Sequence, residues 1–190
     1  ITNPEWLDIS DIRDSHGIWA PDIEYVDGKY YIYVTLRLNA DGKRDNNVMR
    51  RQLVMVSDKP EGPYSKPVCL EVDDIDPSLF VDDDGTPWMS WGNGTCFLVK
   101  LKPNMTELDG NIEILKMPKF VEGPWIHKRE NLYYLTYASM GKGRETISYA
   151  TAPSMDGPWT YRGALTGMAE NSFTIHPGII EFKGQNYLFY

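Results

Sequence analysis

The clearest structural signal in the sequence is the segment Asp76-Pro77-Ser78-Leu79-Phe80-Val81-Asp82-Asp83-Asp84-Gly85-Thr86-Pro87-Trp88-Met89-Ser90-Trp91. An apolar segment that begins at a proline is followed by a polar turn and then by a second, aromatic segment. Two short strands around an Asp-Gly turn are the strongest local indication of a β-hairpin. The run of aspartates lacks the remaining ligands of a calcium-binding loop, so a turn is predicted there.

The same pattern occurs four times along the chain. Each copy begins at a proline, passes through a short polar turn and returns in an aromatic strand; the other copies begin at Pro21, Pro124 and Pro177. Successive prolines are 56, 47 and 53 residues apart, and the intervals contain further alternating strands. Three or four strands repeated about every 50 residues are typical of β-propeller blades. No segment has the pattern of a long helix, so the chain is predicted to be all-β.

The repeats do not fill a whole propeller. Propellers close with about 4 to 8 blades, whereas 190 residues hold fewer than four repeats of this length. The final repeat stops at Tyr190, just after its second strand. We therefore predict that residues 1–190 are one domain that forms part of a larger ring, with apolar blade faces exposed where the ring is open.

Composition excludes several classes of function. The chain has 42% hydrophobic and 13% aromatic residues, and its formal net charge is −8. This acidity argues against nucleic acid as a partner, because such binding depends on clustered Lys and Arg. No apolar run is long enough to cross a bilayer, so no membrane partner is predicted. The two cysteines, Cys69 and Cys96, are predicted to be buried free thiols.

The residues around the starts of the four proline strands carry the candidate chemistry. The innermost strand of each propeller blade lines the central channel, so these strand starts converge at one mouth of the ring. The residues there are Trp19, Asp76, Glu122 and His176. A residue before proline is pushed to extended geometry, which predicts the direction of Asp76 and His176.

Two kinds of chemistry fit one histidine and two carboxylates. They could bind a metal, yet in a tyrosine-rich channel they suit sugar chemistry at least as well. A carboxylic acid kept protonated by burial or by a second carboxylate can donate its proton to a glycosidic oxygen. Another carboxylate across the sugar ring would activate water, which is the inverting arrangement. No Ser or Cys with a base occurs at these positions, which excludes a nucleophilic triad.

The four motifs together resemble glycoside hydrolase family 43. They are Gly17-Ile18-Trp19-Ala20-Pro21-Asp22-Ile23, Ile75-Asp76-Pro77-Ser78-Leu79-Phe80, Val121-Glu122-Gly123-Pro124-Trp125 and Ile175-His176-Pro177-Gly178. The resemblance implies a five-bladed β-propeller, of which about three and a half blades are in this chain. It also implies inverting removal of arabinose or xylose from plant polysaccharides, and therefore a secreted or periplasmic protein.

The resemblance also implies a role for each site residue. Glu122 matches the general acid, and Asp76 matches the carboxylate that raises the pKa of the acid and orients it. His176 matches the axial histidine that binds a central ion or water near the sugar, so a structural calcium or another cation at the axis is an open alternative, with no cofactor required. Trp19 matches an aromatic wall for the substrate, although packing within the blade explains it equally well.

The general base is not assigned. In the family it is an aspartate at the start of the first blade, and this chain begins after that blade would end. None of the acids before Trp19 has the required Asp-Pro strand context; they are Glu5, Asp8, Asp11 and Asp14. The isolated chain is therefore expected to be inactive.

Three other hypotheses about the function stay open. A related five-bladed clan acts on fructans or sucrose with retention. A sugar-binding propeller without catalysis would explain the missing base, and a protein-interaction propeller is the third alternative.

Two polar segments are predicted to be solvated loops: the one that contains Lys142, Arg144 and Glu145, and the one from Arg37 to Arg51.

Overall fold

The computed structural model of the chain describes residues 18–39 and 48–190. These ranges form fourteen β-strands and contain no helix. The strands make three four-stranded sheets and one two-stranded sheet, with antiparallel neighbours throughout. The all-β prediction is confirmed for this part of the chain, while the number of blades in the whole ring stays a prediction.

Within each sheet the strands follow one another in chain order. The first sheet contains β1 (Ile18–Val26), β2 (Lys29–Asn39), β3 (Val48–Ser57) and β4 (Val68–Leu70). The second contains β5 (Ser78–Val81), β6 (Pro87–Trp91), β7 (Cys96–Leu101) and β8 (Leu108–Leu115). The third contains β9 (Phe120–Arg129), β10 (Leu132–Met140), β11 (Glu145–Ala152) and β12 (Thr160–Ala164). The last contains β13 (Gly178–Phe182) and β14 (Gln185–Phe189).

Tight turns join the first two strands of the sheets. In the β1–β2 turn, Asp27 and Gly28 have φ values of +50° and +80°; in the β13–β14 turn, Lys183 and Gly184 have +52° and +76°. Two successive positive φ values are typical of type I′ hairpin turns, where glycine takes the second position without a steric cost. The hairpins predicted at these positions are confirmed.

The strands that contain or directly follow the four prolines lie next to one another. β1 and β9 both contact β5, and β13 contacts β9. These are the first strands of the four sheets, so each sheet directs its first strand inward and its last strand outward. The predicted convergence of the four strand starts follows from this arrangement.

Apolar clusters hold neighbouring sheets together. Tyr33 and Met89 belong to the cluster between the first and second sheets, and both are fully buried. Leu98 and Leu135 belong to the cluster between the second and third sheets and are also fully buried. Truncating such a side chain costs about 2–5 kcal/mol, so these clusters fix the positions of the sheets, and with them the site between the inner strands.

Two local predictions were wrong. Cys69 is exposed, whereas Cys96 is buried as predicted. Cys69 lies on β4, the outer edge strand, where only Leu70 faces the core. The segment from Arg37 to Arg51 is not one long loop, because β2 continues to Asn39 and β3 begins at Val48; residues 40–47 lie outside the described ranges.

Large apolar side chains are exposed at both ends of the row of sheets. On β1 they are Ile18, Ile23 and Tyr25; on β13 and β14 they are Ile180, Phe182, Tyr187 and Phe189. The sequence predicts such exposure where a ring of blades is open. Over the ranges that the structure describes, no helix has the length and apolar character to span a membrane.

Candidate active site

A left-handed residue precedes three of the four prolines. Ala20, Asp76 and Gly123 have φ values of +41°, +62° and +60°. The prediction of extended geometry for Asp76 was therefore wrong. Short polar residues such as Asp enter the left-handed region more readily than most, and two hydrogen bonds hold Asp76 there. Its N–H donates to Thr35 Oγ1 (3.2 Å), and its Oδ2 accepts from the Gly123 N–H (3.2 Å).

Register shifts accompany this conformation in the first and third sheets. They lie between Trp19 and Asp22 on β1, and opposite the Glu122–Trp125 segment of β9. Such bulges re-aim a side chain at the end of a strand and are common next to active sites. Here they change the direction of the chain just beside Trp19 and Glu122.

Asp76 and Glu122 form a pair of carboxylates with raised pKa values. Asp76 is only 5% exposed, and burial together with the charge of Glu122 raises its pKa to about 7. Burial, followed by the charge of Glu145, also raises the pKa of Glu122. Two neighbouring carboxyl groups that disfavour double ionisation retain a proton near neutral pH. The pair can therefore hold a transferable proton under physiological conditions.

A turn between β6 and β7 supports Glu122. Asn93 Nδ2 donates to Glu122 Oε2 at 2.8 Å. The turn itself is tied to both neighbouring segments, because the Gly92 N–H donates to Ile75 O (2.8 Å) and the Gly94 N–H donates to Val121 O (2.7 Å). Asn93 thus orients the carboxylate of Glu122, and its hydrogen bond partly offsets the rise in the pKa of Glu122.

His176 lies against both carboxylate-bearing segments. Its Nδ1 is 3.9 Å from Asp76 Oδ2, and its side chain is 43% exposed. A Cβ placed on Gly123 would lie 3.0–3.2 Å from three atoms of the imidazole ring. The ring therefore packs on the bare Cα of Gly123, and the burial on that side lowers the pKa of His176. The structure brings Asp76, Glu122 and His176 together, as the sequence predicted.

Trp19 is placed at the same level of the axis through the first sheet. It is half-buried and pairs with Thr35, the residue whose hydroxyl accepts from the Asp76 N–H. Thr35 therefore links Trp19 on β1 to the backbone of Asp76. Its contact with a sugar stays a prediction.

A cavity of about 290 Å³ lies between the inner strands. All four strand starts contribute to its wall, which includes Asp22, Ser78, Trp125, His176 and Phe189. Trp125 Nε1 donates to Ile179 O (3.1 Å) and so ties the third sheet to the last one. Two lining residues connect this cavity to Asp76: Pro77, which follows it in the chain, and His176, whose Nδ1 is 3.9 Å from Asp76 Oδ2.

An axial cation bound to His176 through water stays a prediction. In the described ranges, no group of three or more His, Cys, Asp or Glu side chains is arranged to hold one. Asp76 Oδ2, the carboxylate oxygen 3.9 Å from His176 Nδ1, accepts from the Gly123 N–H. No chemical step is therefore assigned to an axial cation. The aspartates at 82–84 form the predicted turn, in which Asp82 pairs with Lys128 (3.0 Å).

Sequence reasoning missed three residues of this site. Asn93 stands in a Gly-Asn-Gly turn, a signal that could have marked it. Arg50 pairs with Asp74 (3.3 Å), and its charge lowers the pKa of Glu122. Glu145 was predicted in a solvated loop, which is wrong: it is the first residue of β11 and is 2% exposed. Lys142 and Arg144 are exposed, as predicted.

Replacing Asp76 by asparagine is expected to flatten the dependence of stability on pH. The pKa of Asp76 is about 7 in the folded chain, against an ordinary value of 3.8, so the folded state keeps a proton that the unfolded state releases. The free energy of unfolding therefore falls as the pH rises between these two values. An amide cannot ionise, yet it still offers an oxygen to the Gly123 N–H, so the fall should be smaller in the variant.

Urea unfolding at a series of pH values would measure this effect. The matched control is Asp84→Asn in the exposed turn, where the hydrogen bond from the Thr86 N–H lowers the pKa of the carboxyl. That change should leave the fall between pH 4 and pH 7 as it is in the unaltered chain. An equal fall in both variants would show that Asp76 does not hold the proton.

Comparison with known proteins identifies related chains. The family described as "Glycosyl hydrolases family 43" matches residues 2–190. The xylosidase/arabinosidase 43A of Humicola insolens is 29% identical, in an alignment that covers 93% of this chain and 66% of that protein. The beta-D-galactofuranosidase xynD of Aspergillus niger is 34% identical over 68% of this chain and 42% of its own length.

Solved structures agree with these relatives. A family 43 enzyme from Xanthomonas citri, complexed with xylose, is 27% identical with a TM-score of 0.80, and the match covers 96% of this chain and 66% of that one. A family 43 protein from Bacillus licheniformis is 36% identical with a TM-score of 0.76 over 93% of this chain and 37% of its own. This chain thus spans between about one third and two thirds of the length of the proteins it matches.

Proposed function

The chain belongs to glycosyl hydrolases family 43, and on that premise we propose that the protein containing it is an inverting glycosidase. Its proposed substrates are plant polysaccharides or oligosaccharides from which it removes xylose or arabinose. Two observations support this substrate class: relatives that bear the name xylosidase/arabinosidase, and a related enzyme whose structure contains xylose. The proposed partner is therefore a carbohydrate.

The Asp76–Glu122 pair is the observation that carries the proposal. Glu122 is the proposed general acid: its carboxyl proton passes to the glycosidic oxygen as the bond between that oxygen and the anomeric carbon breaks. A water molecule attacks the anomeric carbon from the opposite face and loses its proton to a second carboxylate, so the configuration inverts. The raised pKa of Glu122 suits a group that must be protonated before it reacts.

Asp76 and His176 have supporting roles in this proposal. Asp76 accepts from the Gly123 N–H and so orients the backbone next to the acid. It is also the proposed modulator of the pKa of Glu122, since two neighbouring carboxyl groups disfavour double ionisation. The neutral imidazole of His176, whose pKa is lowered by burial, would bind a sugar hydroxyl, and Trp19 would form an apolar wall. No cofactor is required for these steps.

The general base is proposed to lie outside the described part of the chain. We propose a ring of five blades, in which the three four-stranded sheets and the final hairpin occupy three and a half places. The apolar side chains exposed on β1, β13 and β14 support a further blade between them. The acids before Trp19 also lie outside the described ranges, and none is assigned as the base. A secreted or periplasmic location is proposed, because the substrates are extracellular.

Hydrolysis assays on two polypeptides would test this function. The protein extended to the length of its relatives should hydrolyse an aryl β-D-xyloside or an aryl α-L-arabinofuranoside. Proton NMR of the xyloside reaction should show α-xylose as the first product, because inversion changes the anomer. The isolated 190 residues should show no hydrolysis. First release of β-xylose would contradict inversion, and turnover by the isolated chain would contradict the missing base.

A further inference from the structure

We propose that Glu145 is a positioning residue of this site: its buried carboxylate anchors the segment that carries His176 and thereby sets where the imidazole meets the sugar. This inference rests on the proposed function for the role of His176. It concerns a residue outside the four proline motifs, at the start of β11 in the third sheet. The anchor acts through a hydrogen bond to the backbone.

The contacts of Glu145 bracket the residues just before His176. Its Oε2 accepts from the Ile175 N–H at 2.9 Å, and its own N–H donates to Phe173 O at 3.4 Å. Both Glu145 and Ile175 are buried, with 2% and 5% exposure. One residue at the start of β11 therefore holds both ends of a three-residue segment that leads directly into the site.

His176 depends on such an anchor because no strand ladder fixes it. β12 ends at Ala164 and β13 begins at Gly178, so His176 lies in an irregular segment between two sheets. The pairing of the last hairpin starts only at Gly178, which is opposite Phe189. On the other side, the imidazole packs on Gly123 and lies near Asp76. Glu145 supplies the hydrogen bond that sets the depth of this packing.

The same segment is tied to the start of β11 at other points. Arg144 Nη1 donates to Glu170 O (2.9 Å), and the Leu165 N–H donates to Ile147 O (2.6 Å). These contacts are farther from His176 along the chain and more exposed. Glu145 is the buried contact directly next to it, so it has the largest influence on the imidazole.

The length of the Glu145 side chain is what lets its oxygen reach the Ile175 N–H. Burying a carboxylate is costly unless it is hydrogen-bonded, and the bond to the Ile175 N–H meets that requirement. Aspartate would keep the charge but is shorter by one methylene, so it cannot reach the Ile175 N–H from the same backbone position. Glutamine keeps the length and a carbonyl acceptor but has no charge. The two substitutions thus separate reach from charge.

NMR of the histidine side chains in the 190-residue chain would test the proposal. There are three histidines, and His176→Asn assigns the signal of interest. We expect Glu145→Asp to shift and broaden the His176 ring signals while those of His127 stay unchanged. Glu145→Gln should leave the His176 signals in place. The control is Glu170→Gln, an exposed glutamate of the same irregular segment, which should change neither.

Titration with xylotriose gives a second readout. Loss of one hydrogen bond to a charged group should weaken binding by about tenfold in Glu145→Asp, and by less than about twofold in Glu145→Gln. A purely structural role would lower the urea midpoint of both variants while the His176 signals and the affinity stay as in the unaltered chain, which would overturn the proposal. A displaced His176 in Glu145→Gln with an unchanged one in Glu145→Asp would overturn it too.

The two readouts separate this inference from the proposed function. If the unaltered chain and its extended form bind no xylotriose, the proposed substrate class is contradicted. The His176 signals would still decide whether Glu145 positions the imidazole, because they do not depend on the ligand.

Discussion

Replacing Glu122 by glutamine in the extended protein is expected to lower kcat for xyloside hydrolysis by about a thousandfold, because the amide has no proton to give to the leaving oxygen. Glutamine keeps the size of the side chain and an oxygen that can accept from Asn93 Nδ2, which is the contact that orients Glu122. Sugar affinity should therefore change by less than about threefold. Steady-state kinetics and calorimetric titration with xylotriose would measure the two quantities separately.

The control for this change is Glu130→Gln, at the exposed turn between β9 and β10. It should leave both kcat and affinity unchanged. If Glu122→Gln retained full activity, another residue would have to be the acid. If the unaltered protein bound xylotriose but hydrolysed none of the test glycosides, the hypothesis of a non-catalytic sugar-binding propeller would replace that of a glycosidase.

Substituting Gly123 by alanine is expected to destabilise the chain and to disrupt the site together. Gly123 has a φ of +60°, a conformation that costs an L-residue about 1–2 kcal/mol. The new Cβ would also lie 3.0–3.2 Å from the ring of His176, so the imidazole must move away. We expect a loss of about 2–3 kcal/mol in the free energy of unfolding, and a loss of sugar affinity because His176 is displaced.

Gly85→Ala provides a matched comparison. Gly85 has a φ of +85° and no heavy atom within 4 Å of an added Cβ, so its substitution carries the backbone cost alone. Urea unfolding of both variants should show the larger loss for Gly123→Ala, and xylotriose binding should weaken only in that variant. Equal losses with unchanged binding would mean that the contact between Gly123 and His176 has no role.

Much of the fold was predictable because its signals are local. A proline, an apolar strand, an Asp-Gly type turn and an aromatic return strand lie within about 15 residues of one another, and the turn residues take the positive φ values that such turns need. The recurrence of this unit indicated blades, and the position of Asp76, Glu122 and His176 in equivalent places indicated one site. In the structure, His176 Nδ1 lies 3.9 Å from Asp76 Oδ2, and the charge of Glu122 acts on Asp76.

The rest of the site depends on contacts between residues that are distant along the chain. Glu145 accepts a hydrogen bond from the N–H of Ile175, 30 residues further along the chain. Asn93 donates one to Glu122, 29 residues away. No periodicity or turn pattern encodes such pairs, since each is decided by how the sheets pack. The left-handed conformation of Asp76 is of the same kind. The local preference before a proline predicts an extended residue, but two hydrogen bonds to neighbouring sheets override it: the Asp76 N–H donates to Thr35 Oγ1, and Asp76 Oδ2 accepts from the Gly123 N–H.

Residue order alone indicates a repeated set of β-hairpins with two carboxylates and a histidine near the starts of their first strands. These features follow from residue order over one turn or one repeat. Three contacts become visible only in the folded chain: Glu145 is buried and bonded to Ile175, next to His176; Asn93 donates to Glu122; and the imidazole of His176 packs on Gly123. Burial and hydrogen bonding between sheets depend on distances in space. Those distances are set only when the apolar clusters pack the sheets against one another.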